Sequence, residues 1–113
     1  MTASLQAAEP RLVLASASIA RRAVLEGAGL AFTARASAVD EDAIKSSARA
    51  EGLGAADTAL LLADAKAMRL AAKEPEALVI GADQMLVCTI DGAERWFDKP
   101  PSLEAARGHL RLL

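Results

Sequence analysis

An apolar run that breaks into hydroxyls and then arginines, Leu12 to Arg22 (L-V-L-A-S-A-S-I-A-R-R), constrains this chain more than any other stretch. Leu12, Val13, Leu14 and Ala15 fit a short buried strand. Ser16 and Ser18 follow, and a helix-forming segment then carries Arg21 and Arg22 in its first turn or so. A strand that ends in small hydroxyl residues and runs straight into a helix leaves backbone N–H groups free at the helix start. Those groups, with the positive end of the helix dipole, favour an anion. Arginines are a poor choice for the helix itself, because the dipole repels them. They suit a ligand phosphate, which a guanidinium can hold bidentately. The plain alternative is a serine-capped corner with solvated arginines.

The length, 113 residues, is that of a single domain, and 53% hydrophobic residues can build a core. Only 3% are aromatic, with alanine and leucine in their place, which argues for a helix-rich α/β protein over a β-sandwich. A net charge of −2 gives no general surface for nucleic acid or membrane, so any cationic patch is local. One cysteine excludes an internal disulfide framework and agrees with a reducing, cytoplasmic setting. Residues 1–10 lack the long apolar segment of a signal peptide and read as a loose leader.

The first helix should reach about Glu26, with Gly27 and Gly29 stopping it. Leu30 to Ser37 fits a second strand. Asp40, Glu41 and Asp42 come just past it. They are either a solvated acidic loop, a helix N-terminus where acids are favoured, or a metal or base site facing the cations of the first helix. Ser46 to Ala56 reads as a helical turn plus a loop. Asp57 can cap a long helix to about Lys73, ended by Pro75. Leu61, Ala65, Met68 and Ala72 make one face of it, widened by Leu60, Ala63, Ala67 and Leu70. Leu62, Lys66, Arg69 and Lys73 fall on the opposite, mainly basic face.

Ala77 to Ala82 is apolar on both faces and is expected to be the central strand. It ends at Asp83-Gln84, where open α/β sheets bind ligands. A carboxylate there is costly to bury unpaired, and a divalent cation or a water needing a base would partner it. Met85 to Ile90, the Asp91-Gly92 turn and Arg95 to Phe97 form a hairpin. Ser102 caps a last helix with Leu103, Ala106, Leu110 and Leu113 on one face. Cys88 reads as a buried strand residue and His109 as a surface one.

Five places in this order together resemble the Maf family of nucleoside triphosphate pyrophosphatases: S-x-S-x-x-R (Ser16, Ser18, Arg21), Asp40-Glu41, L-A-x-x-K-A (Leu62 to Ala67), G-A-D-Q (Gly81 to Gln84) and Lys99-Pro100. The chain departs from the family pattern at Ile19, where proline usually follows the second serine. The resemblance implies an α/β fold with a mixed sheet flanked by helices, similar to that of the inosine triphosphatases. It covers Leu12 to Leu113 but only the N-terminal part of a typical member, somewhat over half, so residues 11–113 are expected to be that part of one domain, truncated at the C-terminus. An apolar helix face leading straight into the last residue points the same way.

On the resemblance, Ser16, Ser18, Arg21, Lys66 and Lys99 bind substrate phosphates. Glu41 and Asp83 hold a divalent metal cation, Mg²⁺ or Mn²⁺, and Asp83 orients or deprotonates the attacking water. The implied reaction converts a nucleoside triphosphate, non-standard or modified, to its monophosphate and pyrophosphate. Gln84 resembles the subgroup that prefers 7-methyl-GTP. The expected partner is the nucleotide, not nucleic acid or membrane, and a homodimer is among the assemblies open to it. The alternative is a catalytically inactive nucleotide-binding or interaction fragment.

Overall fold

The computed structural model describes residues 5–113, so the first four residues of the expected leader lie outside the described residues. The apolar run becomes β1 (Leu12–Leu14), with Val13 and Leu14 each 1% exposed. It is parallel to β2 (Thr33–Ala34) on one side and to β3 (Leu78–Ile80) on the other, in the order β2-β1-β3. The central strand is therefore β1. Ala77 to Ala82, expected in the centre, lies at the sheet edge, and Leu78 is 56% exposed. Its apolar character is used on one face, where Ala77 and Val79 pack with Val13, Ala15 and Leu70. The second strand is shorter than expected, because only Thr33 and Ala34 find partners on β1.

α1 (Ile19–Gly27) begins where expected: the Ser18 hydroxyl accepts from the Arg21 N–H. The three acids resolve as a helix start, with the Asp40 side chain capping the N–H of Ala43 at the head of α2 (Glu41–Ala50). This helix takes in residues 46–50 of the expected turn and loop, residues 51–54 form the loop, and Ala55 and Ala56 already belong to the next helix. α3 (Ala55–Ala71) starts earlier than an Asp57 cap would allow, at Gly54, which has no capping side chain of its own. A remote carboxylate does that work: Glu94 Oε1 accepts from the Ala55 N–H at 2.7 Å.

The buried stripe of α3 corrects the sequence reading. Ala55, Thr58, Leu62, Lys66 and Leu70 face inward, whereas Leu61 is 43% and Met68 72% exposed. Of the face expected to be mainly basic, Leu62 and Lys66 are packed inside while Arg69 and Lys73 stay exposed, and Leu70 joins the buried stripe from the apolar side. Its lysine is buried because two carboxylates partner it, described below. At the end of β3, α3 comes so close to Gly81 that an added Cβ would lie 2.9 Å from the Ala67 Cβ.

The hairpin forms as expected from β4 (Leu86–Ile90) and β5 (Ala93–Phe97), with Asp91 and Gly92 both at positive φ, 51° and 79°. It is a separate antiparallel sheet, so the α/β architecture distributes its parallel and antiparallel strands over two sheets. Cys88 is half-buried rather than buried. α4 (Leu103–Leu112) is capped by Ser102, and His109 meets the Phe97 ring edge-on at 5.1 Å between centroids. The radius of gyration is 17.0 Å, against roughly 13 Å for a compact domain of this length. The described elements spread accordingly, and Leu60, Leu103 and Leu110 are exposed.

Candidate active site

The end of β1 sets the geometry. Ser16, just beyond it, is buried, and its Oγ accepts from the Ser18 N–H at 3.1 Å and from Arg21 Nη1 at 3.3 Å. Arg21 thus folds back from α1 over the strand end. The free N–H groups inferred from the sequence are partly spoken for by serine hydroxyls, while the guanidinium stays beside the turn.

Lys66 is the hub. Its Nζ lies 2.8 Å from Glu41 Oε1 at the head of α2 and 2.8 Å from Asp83 Oδ1 just past β3. Lys66 and Asp83 side chains are 11% and 7% exposed, and Glu41 is half-exposed. Each residue comes from a different element. Ser37 adds a latch by donating its hydroxyl to the Lys66 carbonyl at 2.7 Å, tying α3 to the segment after β2. Lowering of the Glu41 pKa follows from the Lys66 hydrogen bond first, with Lys45 and Arg21 adding attraction. Burial of Lys66 opposes its charge, but the hydrogen bonds to Asp83 and Glu41 outweigh that and raise its pKa. No buried side-chain nitrogen or oxygen among the described residues lacks a partner.

The structure gathers six of the residues singled out from the sequence into two groups, Ser16, Ser18 and Arg21 at the head of α1 and Glu41, Lys66 and Asp83 around one ammonium, linked by the attraction of Arg21 for Glu41. Gln84 and Lys99 are exposed and form no ion pair among the described residues. Lys45 was not singled out. It sits one turn after Glu41 on α2, pairs with Asp98 at 2.9 Å, and feels Glu41 and Asp83 as well. The signal available in the sequence was its i,i+4 spacing from Glu41.

Glu41 and Asp83 suit a divalent cation, since Mg²⁺ commonly takes one or two carboxylates and completes its shell with phosphate oxygens and water. Both already surround one positive charge, that of Lys66. Among the described residues no group of three or more His, Cys, Asp or Glu side chains could hold a metal by itself. Such a site would need the substrate's phosphates.

The profile of the family described as Maf-like protein matches residues 11–113, which is nearly the whole chain. This chain belongs to the Maf-like protein family. It is 54% identical over 100 residues to a nucleoside triphosphate pyrophosphatase of Granulibacter bethesdensis, a match covering 88% of this chain and 49% of that protein. It is 51% identical over 104 residues to a protein of the same name from Rhodospirillum rubrum, covering 92% and 50%. A 7-methyl-GTP pyrophosphatase of Rhizobium meliloti is 49% identical over 105 residues, covering 93% and 51%. This Maf-like chain thus spans about half the length of the curated relatives it matches. No helix among the described residues is long and apolar enough to cross a membrane.

Proposed function

We propose that this chain carries the phosphate-handling centre of a nucleoside triphosphate pyrophosphatase. The observation that supports this most is one ammonium, Lys66, shared by two carboxylates beside the serine–arginine turn at the end of the parallel strands. Open α/β sheets bind ligands at that end. The relatives' names supply the reaction class.

In the proposed reaction a water attacks the α-phosphorus, and the bond to the bridging oxygen of the leaving group breaks. Nucleoside monophosphate and pyrophosphate result. Asp83, fixed by the strand end and by Lys66, orients the water and accepts its proton. Lys66 has three N–H donors and uses two of them on Asp83 and Glu41, so one remains for a phosphate oxygen. Arg21, Ser16 and Ser18 hold phosphate at the head of α1, and Lys99 reaches the polyphosphate from the turn after β5. Glu41 and Asp83 would hold the divalent cation, which when bound supplies charge neutralisation on the phosphates. Gln84, next to Asp83, faces the base in this reading. With the name of the Rhizobium meliloti relative, it makes 7-methyl-GTP the first substrate to try.

The test is pyrophosphate release from 7-methyl-GTP and the four standard triphosphates, with Mg²⁺ or Mn²⁺, alongside nucleotide affinity. Asp83→Asn keeps the shape and loses the basicity. It is expected to lower turnover by roughly a hundredfold while leaving nucleotide binding largely intact. Near-normal turnover would remove Asp83 from the mechanism and move the role to Glu41. Binding without turnover in the unaltered chain would favour an inactive nucleotide-binding module, and neither binding nor turnover an interaction role.

A further inference from the structure

Helix α2 carries a stripe of three charged residues one turn apart, Glu41, Lys45 and Arg49. Each meets a different element. Glu41 meets Lys66 of α3, Lys45 meets Asp98 just past β5, and the Arg49 guanidinium lies 4.3 Å from the centroid of the Trp96 ring in β5. Between α2 and the hairpin this leaves a cleft of about 280 Å³, lined by Asp42, Lys45, Ser46, Arg49, Trp96 and Asp98. The cleft begins where the Lys66 cluster ends, one helical turn from Glu41.

The Lys45–Asp98 pair is lopsided. The lysine side chain is 21% exposed and its carboxylate partner 76%. The ammonium is held within the fold while the acid stands in water. A pair with so exposed a carboxylate contributes little to stability, so a multivalent anion can take the carboxylate's place at low cost. Lys45 stays charged throughout: the Asp98 hydrogen bond raises its pKa against the effect of partial burial, and Glu41 and Asp83 add to the rise. Arg49 and the Ser46 hydroxyl supply further donors on the same wall. Two acids, Asp42 and Asp98, also line the cleft. They disfavour a bare polyanion and are better tolerated by one that arrives with its magnesium.

We propose that Lys45, backed by Ser46 and Arg49, binds the leaving pyrophosphate. This rests on the pyrophosphatase reading given above. The charged lining suits a phosphate group rather than a nucleobase, and the cleft adjoins the cluster in which the bond would break. Lys45 then draws the leaving group away from Glu41 and Asp83 as negative charge builds on it.

Calorimetric titration with magnesium pyrophosphate, GMP and a nucleoside triphosphate tests this. Lys45→Met is expected to weaken pyrophosphate at least tenfold, the scale of one lost charge-assisted hydrogen bond, while GMP affinity stays within twofold. Asp98→Asn should act in the opposite direction, strengthening pyrophosphate by freeing Lys45 and removing a repelling charge. Equal weakening of pyrophosphate and GMP in Lys45→Met, or unchanged pyrophosphate affinity, would overturn the assignment and leave Lys45 a docking residue for the hairpin. Should that variant not fold, Asp98→Asn decides alone: stronger pyrophosphate binding supports the proposal, and unchanged or weaker binding overturns it. An unaltered protein that binds neither pyrophosphate nor triphosphate would overturn the pyrophosphatase reading and this proposal with it. Triphosphate binding with no effect of either variant on pyrophosphate would overturn this proposal alone.

Discussion

Gly81 lies against Ala63 so closely that a side chain at Gly81 would run into the Ala63 carbonyl oxygen. The contact joins the end of β3 to the middle of α3, and it sits two residues before Asp83 and three before Lys66. Backbone proximity at the glycine is what allows Lys66 Nζ and Asp83 Oδ1 to meet at 2.8 Å.

Gly81→Ala is therefore expected to destabilise the fold by about 1–3 kcal/mol, the usual range for overpacking a close contact. It should also weaken nucleotide binding, because the strand end must move away from the helix. Urea denaturation and nucleotide titration of the variant check both. Unchanged stability would mean that the helix shifts without strain.

Lys66→Met should cost about 3 kcal/mol, since it leaves the nearly buried Asp83 without its cation. Adding Asp83→Asn should restore much of that loss by removing the stranded charge. A double variant as unstable as the sum of the two single ones would show that the pair does not interact in this way.

Stability should form a plateau with two flanks. Lys66 holds Glu41 below its ordinary 4.5, so this contribution is present above that value and is lost as pH falls through the lowered one. Burial opposes the charge of Lys66, yet Asp83 and Glu41 raise it above its ordinary 10.5. That contribution is present below 10.5 and is lost as pH rises through the raised value. Glu74, lowered by Arg11 and Arg35, adds to the acid flank. Glu41→Gln and Glu74→Gln should each flatten the acid flank in part, measured as denaturation midpoints from pH 3 upward; only Glu41→Gln should also touch the alkaline flank.

Glu94 is placed to hold the hairpin on the helical layer, accepting from the Ala55 N–H and from Trp96 Nε1, each at 2.7 Å. Glu94→Ala should lower stability by about 1 kcal/mol, as for loss of an N-cap. Glutamine retains an acceptor and should lose less. Equal stability of all three proteins would show that the carboxylate does not cap α3.

Arg21→Ala and Lys99→Ala are expected to weaken triphosphate binding without unfolding the protein. Arg21 is half-buried at the strand end and Lys99 is exposed, and neither forms an ion pair among the described residues. Affinity unchanged in a folded variant would remove that residue from the phosphate site.

Local chemistry made much of this protein legible in its sequence. Ser18, Asp40 and Ser102 cap helices because short polar side chains satisfy the free N–H groups there. Asp91-Gly92 makes the hairpin turn because both residues tolerate positive φ. The order of the short motifs likewise marked Ser16, Arg21, Glu41, Lys66 and Asp83. What the sequence could not decide was which face of α3 goes inside. Hydrophobic periodicity treats a lysine as solvent-facing, whereas here two carboxylates, 25 and 17 residues away along the chain, make its burial tolerable. Nor could it rank the strands. Leu12–Leu14 and Leu78–Ile80 are both apolar, and only the pairing of β1 on both its edges makes it the centre. The cap of α3 by Glu94 and the pairing of Lys45 with Asp98 were hidden for the same reason. Each joins groups that only tertiary packing brings within hydrogen-bonding distance.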